Sequence, residues 1–262
     1  MKTLLDDLDL ISDQASTRHL SAALVFMNQS RQAMTGHLAF SRAGAADLSS
    51  DLTALAWTYI ENEEDRVGDT LDQLSKDAHR RAKEHLGVTD AEDDEMTLSE
   101  LLSSSEETSE NYLTSEIIAQ VNRDVNQVVR DYRNAALRTL MITDIGTMSR
   151  EDANMQVMID ELNTKRKLWF RDRAGRKLPS QKHIRRLWRQ TLRDHWMQVY
   201  LQTLAMFGQS VAVIWHPDPG YHAFGTVIEI SEQEYGLDDI DKVFHPNSRA
   251  LPVASAYMES IL

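Results

Sequence analysis

Residues 117–140, IIAQVNRDVNQVVRDYRNAALRTL, decide the fold class. Ile117, Ile118, Val121, Val125, Val128, Val129, Tyr132, Ala136 and Leu140 recur at intervals of three and four, which places them on one face of an α-helix. Arg123, Asp124, Arg130, Asp131 and Arg133 fall on the opposite face. β-Branched residues lose side-chain freedom against the preceding turn, so a helix this rich in valine needs packing partners to hold it. The spacing predicts a long helix from about Ser115 to Met141 and a mainly α chain, long helices followed by a small C-terminal α+β hairpin module.

Towards the N-terminus the same periodicity continues. Thr17 to about Ala43 reads as helix, with Leu20, Leu24, Met27, Arg31 and Met34 on one face and Gly36 and Gly44 weakening it. A second run from near Asp47, with Ser49 or Ser50 as cap, carries Leu52, Leu55, Tyr59, Val67, Leu71 and Leu74. It stops at Gly87, after the basic residues of its last turns. Residues 1–16 are acidic and weakly periodic, and read as a short arm, either helical or mobile. Asp6, Asp7 and Asp9 interrupt any leader-peptide apolar core, and no apolar run is long enough to span a bilayer. A non-secreted protein with no membrane partner is expected.

Residues 89–116 hold ten acids, Asp90 through Glu116, with no compensating base, and the run Ser103–Ser109 is close to low complexity. Such a stretch reads as a solvated linker with at most one short helix. After the long helix, Ser149 followed by Glu151 and Asp152 predicts a further helix start, with Met155, Met158, Ile159 and Leu162 on its apolar side. Pro179 and Ser180 open another, from about Gln181 to Phe207, striped by Ile184, Leu187, Trp188, Leu192, Trp196, Val199, Leu201 and Leu204 and ended by Gly208. Only the last fifty or so residues read as sheet: a strand at Val211–Trp215, a Pro-Asp-Pro-Gly turn, a strand from Phe224 to Ile230, and an extended run from Phe244 to Val253. The regions expected are 1–88, helical; 89–116, linker; 117–180, central long helices; and 181–262, a helix plus β-hairpin module.

Charge is unevenly distributed. The chain carries −13, yet Lys165 to Arg193 holds twelve Lys/Arg against one acid, Asp172. Lys165, Arg166, Lys167, Arg171, Arg173, Arg176, Lys177, Lys182, Arg185, Arg186, Arg189 and Arg193 are candidates to bind double-stranded DNA or an acidic protein partner, with Trp169, Phe170 and Trp188 interleaved. The same cations could instead pair with the acids of 90–116. Trp188, Leu192 and Trp196 follow helical spacing and read as core.

Catalytic patterns are sparse. Cysteine is absent, which excludes disulfides, thiol nucleophiles and cysteine zinc sites. No Gly-rich phosphate loop, nucleophile elbow or His-Glu-x-x-His occurs. His216, Asp218, His222 and His245 crowd the hairpin region, which leaves a metal-dependent hydrolase or nuclease as one alternative, although Asp218 is explained by its turn. His79 and His85, six apart, do not share a helical face. No cofactor and no catalytic residue are expected.

The C-terminal order is more specific. A basic helix, a glycine, an apolar strand ending in Trp215, Asp218 three residues on, a second strand, and His245-Pro246-Asn247-Ser248-Arg249 with Pro252 follow one another. This resembles the Mu-F-type minor head morphogenesis proteins of tailed bacteriophages, whose core ends in His-Pro-Asn-Cys-Arg-Cys and a proline. The resemblance covers roughly residues 181–254. Trp215, Asp218, His245, Pro246, Asn247 and Arg249 match it; Ser248 and Ala250 stand where the family has cysteines, so no zinc site is implied. Packing of Val213, Trp215, Phe224 and Val227 must then hold the hairpin. The resemblance implies a structural virion protein in several copies, associated with the portal or major capsid protein during head assembly in the host cytoplasm and influencing DNA packaging. A soluble helical nucleic-acid-binding protein is the other reading, from charge alone.

Overall fold

The computed structural model describes residues 2–37, 42–88, 95–146, 148–163, 169–171, 177–230, 243–244 and 248–261. The expected class holds: long helices dominate, and a small antiparallel sheet lies near the C-terminus. The elements are α1 (Lys2–Thr35), α2 (Arg42–Leu86), α3 (Glu95–Asp144), α4 (Arg150–Asn163), β1 (Trp169–Arg171), β2 (Lys177–Pro179), α5 (Ser180–Met206), β3 (Val211–Trp215), β4 (Val227–Glu229), β5 (Leu251–Ala254) and α6 (Ser255–Ile261). Among these, no helix is long and apolar enough to cross a membrane.

Glycine and serine set the helix ends. Gly87, at φ 68°, lets the N–H of Val88 reach the Lys83 carbonyl (3.1 Å) and its own N–H the Glu84 carbonyl (3.2 Å), the paired bonds that close a helix through a left-handed residue. Gly208, at φ 74°, repeats this at the end of α5. Ser149 caps α4, its Oγ accepting the Asp152 N–H at 3.2 Å.

Several boundaries differ from the expectation. Of the two states open to the acidic arm, helix is the one adopted, because Leu4, Leu5 and Leu8 are buried and anchor the first turns of α1. α1 ends at Thr35 rather than near Ala43, and α2 begins at Arg42 rather than Asp47. The stretch read as a linker is helix from Glu95 onward, held where Ser109 and Leu113 are buried; residues 89–94 lie outside the described residues. A hairpin of β1 and β2, with Arg171 opposite Lys177, was not expected in the basic segment. The turn expected at Ala174–Gly175 lies outside the described residues.

The chain forms two compact units, each drawn from separated segments rather than from the consecutive regions the sequence suggested. One comprises Met1–Ser16, Arg66–Leu113 and Arg185–Leu262; the other comprises Thr17–Asp65 and Thr114–Ile184. They are called unit 1 and unit 2 below.

In unit 2, Met34 of α1, Leu48 and Leu52 of α2, Val128, Tyr132 and Ala135 of α3, and Val157 and Met158 of α4 meet in one buried cluster. The Tyr132 hydroxyl donates to the His37 carbonyl at 3.0 Å. The α1 face inside this unit is not the Leu20–Leu24 face. His19, Ala23, Phe26, Ser30 and Met34 are buried, and Leu24 is exposed. Ala23 and Ser30, small beside Phe26 and Met34, leave room on that face for a neighbouring helix.

In unit 1, α5 is buried nearly all round from Thr191 to Leu204, with only Asp194 exposed. A helix buried on nearly every side lies inside a core, and its polar side chains there need partners. The sheet beside it has the order β4-β3-β5, all antiparallel, with Val213 opposite both Val227 and Val253. The second strand is shorter than expected. Val213, Val253 and Met258 form its buried cluster with Trp215, Phe224 and Tyr257 against it. Val227, expected to pack there, is exposed instead, because the alternation along β4 turns Ile228 inward and Val227 and Glu229 outward.

Leu52→Ala should cost about 2–5 kcal/mol, the range for deleting a wholly buried leucine in a tight core. Urea unfolding of the two proteins checks it; a loss under about 1 kcal/mol would show that this cluster does not hold unit 2.

Candidate functional site

Three of the residues singled out by sequence, Arg189, Arg193 and Arg249, converge in unit 1 on the junction of α5 with the segment leading into β5. Arg193 is 5% exposed, and its guanidinium donates to the Ser248 carbonyl. Ser248 is itself buried, and its Oγ accepts the Ala250 N–H at 3.0 Å, turning the chain into β5. Arg249 reaches the other way, with Nη2 3.0 Å from Asp6 Oδ1 on α1. Arg189, one turn before Arg193, lies 3.3 Å from Asp9 Oδ1 and 3.9 Å from Asp13 Oδ1. Arg81 of α2 approaches Asp7 at 3.3 Å. Four acids of the first turns of α1 thus meet arginines from α2, α5 and the β5 approach.

Electrostatics sorts these contacts. Arg193 has its pKa lowered by burial, with Asp9 and Asp194 opposing and the neighbouring Arg189 and Arg249 adding to the effect. A guanidinium still keeps its charge, so it needs the carbonyl that it holds. The Arg189 and Arg249 pairs are about 40% exposed on the arginine side, where water screens the attraction.

This geometry corrects one expectation. Arg193 is a fold residue, closed off from any partner, and not one of the cations free to bind DNA or an acidic surface. Arg189 is occupied by α1 acids, and the acids it meets come from Asp9 and Asp13 rather than from 90–116. Lys182, Arg185 and Arg186 are exposed in the first turns of α5. Arg171 and Lys177 sit opposite one another in the β1–β2 hairpin. Lys165, Arg166, Lys167, Arg173 and Arg176 lie outside the described residues, as do His245, Pro246 and Asn247. Trp188 is core, as its helical spacing indicated.

The hairpin histidines are engaged locally. His216 Nδ1 accepts the Asp218 N–H at 3.0 Å, and its ring stacks on Tyr221 with centroids 4.1 Å apart. Asp218 Oδ1 accepts the Gly220 N–H at 2.9 Å, which is the turn role expected of it. Trp215 ends β3 opposite Leu251 and packs on the sheet cluster. Among the described residues, no group of three or more His, Asp or Glu is placed to hold a metal.

Sequence reasoning missed a second set of residues, the polar contacts between α2 and α5. His195 is wholly buried, with Nε2 2.7 Å from Ser75 Oγ and Nδ1 3.1 Å from Ser109 Oγ, so one imidazole joins α2, α3 and α5. Trp196 Nε1 donates to Asp77 at 3.2 Å. His79 and His85, set on different faces by their spacing, both reach α5: His79 Nδ1 lies 3.2 Å from Thr203 Oγ1, and His85 Nδ1 lies 2.7 Å from the Tyr200 hydroxyl. That hydroxyl accepts the Ala254 N–H at 3.1 Å, so its own proton is left for His85. Burial supports this assignment from both sides, since it raises the pKa of Tyr200 and lowers that of His85 to about 4. No local pattern in the sequence reveals this set, because the partners of His79 and His85 lie 124 and 115 positions away on α5.

Two outcomes follow. Arg193→Ala leaves the buried Ser248 carbonyl without its donor and should cost about 1–3 kcal/mol, whereas Arg189→Ala should cost no more than about 1 kcal/mol. Urea unfolding distinguishes them; equal small losses would contradict the assignment. For His85 the folded pKa is below the unfolded one, so the native state binds fewer protons and the stability it contributes is present above about pH 6.5 and lost as pH falls towards 4. Asp124 in unit 2 acts oppositely, because burial raises its carboxyl to about 6 and protonation relieves that cost. Unfolding midpoints at neutral and mildly acid pH should therefore fall more in the wild type than in His85→Gln, which keeps an acceptor but does not titrate; parallel curves would remove His85 as a source.

No protein-family model, curated protein or solved structure matches the chain.

Proposed function

We propose that this chain is a structural assembly protein of a tailed-phage head, a minor component present in several copies that associates with the portal or the inner shell and is incorporated in the host cytoplasm. The observation that carries the reading is the use made of the closing stretch. Ser248 and Arg249 are bound to α5 and α1, and Leu251–Ala254 adds the edge strand β5 to β3. This is a clasp that completes a fold, which is what the resemblance of His245–Arg249 to the minor head proteins implies for a member without cysteines. A building block of this kind needs surfaces more than it needs a reactive pair.

A second reading has its own support. Lys182, Arg185 and Arg186 are exposed on α5 and not taken up by the α1 acids that hold Arg189. Cations displayed this way attract phosphate, so contact with packaged DNA accompanies the structural role in this reading.

Coexpression with portal and major capsid proteins tests the first. The chain should sediment with procapsids, and particles that assemble while it stays in the light fractions would end the proposal. Duplex binding that weakens steeply with salt, and drops further in Arg185→Ala/Arg186→Ala, tests the second; no binding at low salt removes it.

A further inference from the structure

Unit 2 displays an apolar surface that its own core does not use. Of the large hydrophobic residues exposed among the described residues, seven of thirteen fall between Leu137 and Ile159. Leu137, Leu140, Met141 and Ile145 lie at the end of α3 and just beyond it, and Met155 and Ile159 lie on α4, exposed between 45% and 72%. The helices are not loose there. Ala135 and Thr139 of α3 and Ala153, Val157 and Met158 of α4 are buried on the inward sides. Arg138 Nη2 meets Asp160 Oδ2 at 3.3 Å, tying the two helices together. Leu137 and Ile159 are the sequence neighbours of that pair, so the exposed side chains of α3 and α4 flank one junction. Leu140, Met155 and Ile159 were expected to face the core; they face away from it because the smaller or better placed residues beside them fill it.

We propose that this face joins two copies of the chain. At roughly 100 Å² exposed per side chain, these six offer on the order of 600 Å², most of the about 800 Å² that each partner contributes to a standard interface, and as large as the biggest apolar patches monomers carry. Charge also favours a second copy. The whole chain is at −13, so most approaches of one copy to another are repulsive. Residues 133–160 hold three arginines against four acids, so here two copies meet almost without net charge. A surface with both signs beside an apolar centre suits a two-fold contact, in which each Arg138–Asp160 pair can face the other's. The inference does not rest on the phage reading, and its readout is separate from procapsid binding.

The test is sedimentation of the full chain over a range of concentrations. The wild type should reach twice the mass of one chain, and Leu137→Glu/Met155→Glu should remain at the single mass with an unchanged helical circular dichroism spectrum. Val227→Glu, an exposed substitution in unit 1, should dimerise like the wild type. A wild type that stays monomeric to its solubility limit overturns the proposal, as does a dimer that survives the double substitution. If the wild type is monomeric and the double variant loses only its association with procapsids, the occupant is the portal or shell, and the second-copy assignment fails.

Discussion

A helix with almost no side facing water carries a demand that leucine alone does not meet. α5 bears Arg193, His195, Trp196, Tyr200 and Thr203 within a stretch where only Asp194 is exposed. Burying such groups costs several kcal/mol each unless partners replace the lost water. The partners come from elsewhere in unit 1: Ser75, Asp77, His79 and His85 of α2, Ser109 of α3, and the backbone of Ser248 and Ala254. The register of α5 against its neighbours is fixed by these bonds, since sliding by one residue would strand several of them at once. The position of the β5 strand follows from the same demand, because two of its anchoring bonds end on α5.

Unit 2 also buries a polar pair. Its α1 face includes His19, whose Nδ1 lies 3.1 Å from Glu63 Oε2 with both side chains buried. Tyr59 stands edge-on to His19, and Phe26 stacks on Tyr59 at 5.1 Å. A buried pair of this sort adds little net stability over apolar substitutes, but it penalises any packing that separates the two groups. It therefore selects one arrangement of α1 and α2 in this unit.

Much of the fold was legible because helical periodicity is local. The α3 stripe from Ile117 to Tyr132, the Gly87 and Gly208 ends, the Ser149 cap and the Val211–Trp215 strand all follow from neighbours within a few positions. Three things were not. The α1 face was misassigned because Ser30 and Ala23 look indifferent in sequence, yet pack inward. The acidic 95–116 stretch read as linker, because nothing in it shows that Ser109 will meet His195, 86 positions away. The β1–β2 hairpin hid within a charge run. Of the site, the turn role of Asp218 and the structural use of Arg249 were readable from chemistry, whereas the burial of Arg193 was not, since a lone arginine in a basic segment looks like its neighbours until Ser248 arrives.

The discontinuity of unit 1 has a consequence for how the molecule comes into being on the ribosome. Residues 1–16 are synthesised well ahead of residues 185–262, the segment that completes their unit, with about 170 residues between the two. At roughly 5–20 residues per second, Leu4, Leu5 and Leu8 wait on the order of ten seconds or more for that segment. During that interval, the acids Asp6, Asp7, Asp9 and Asp13 keep this nascent amphipathic stretch hydrated and repel other nascent chains, so the same carboxylates that later meet arginines first serve as a guard against premature association.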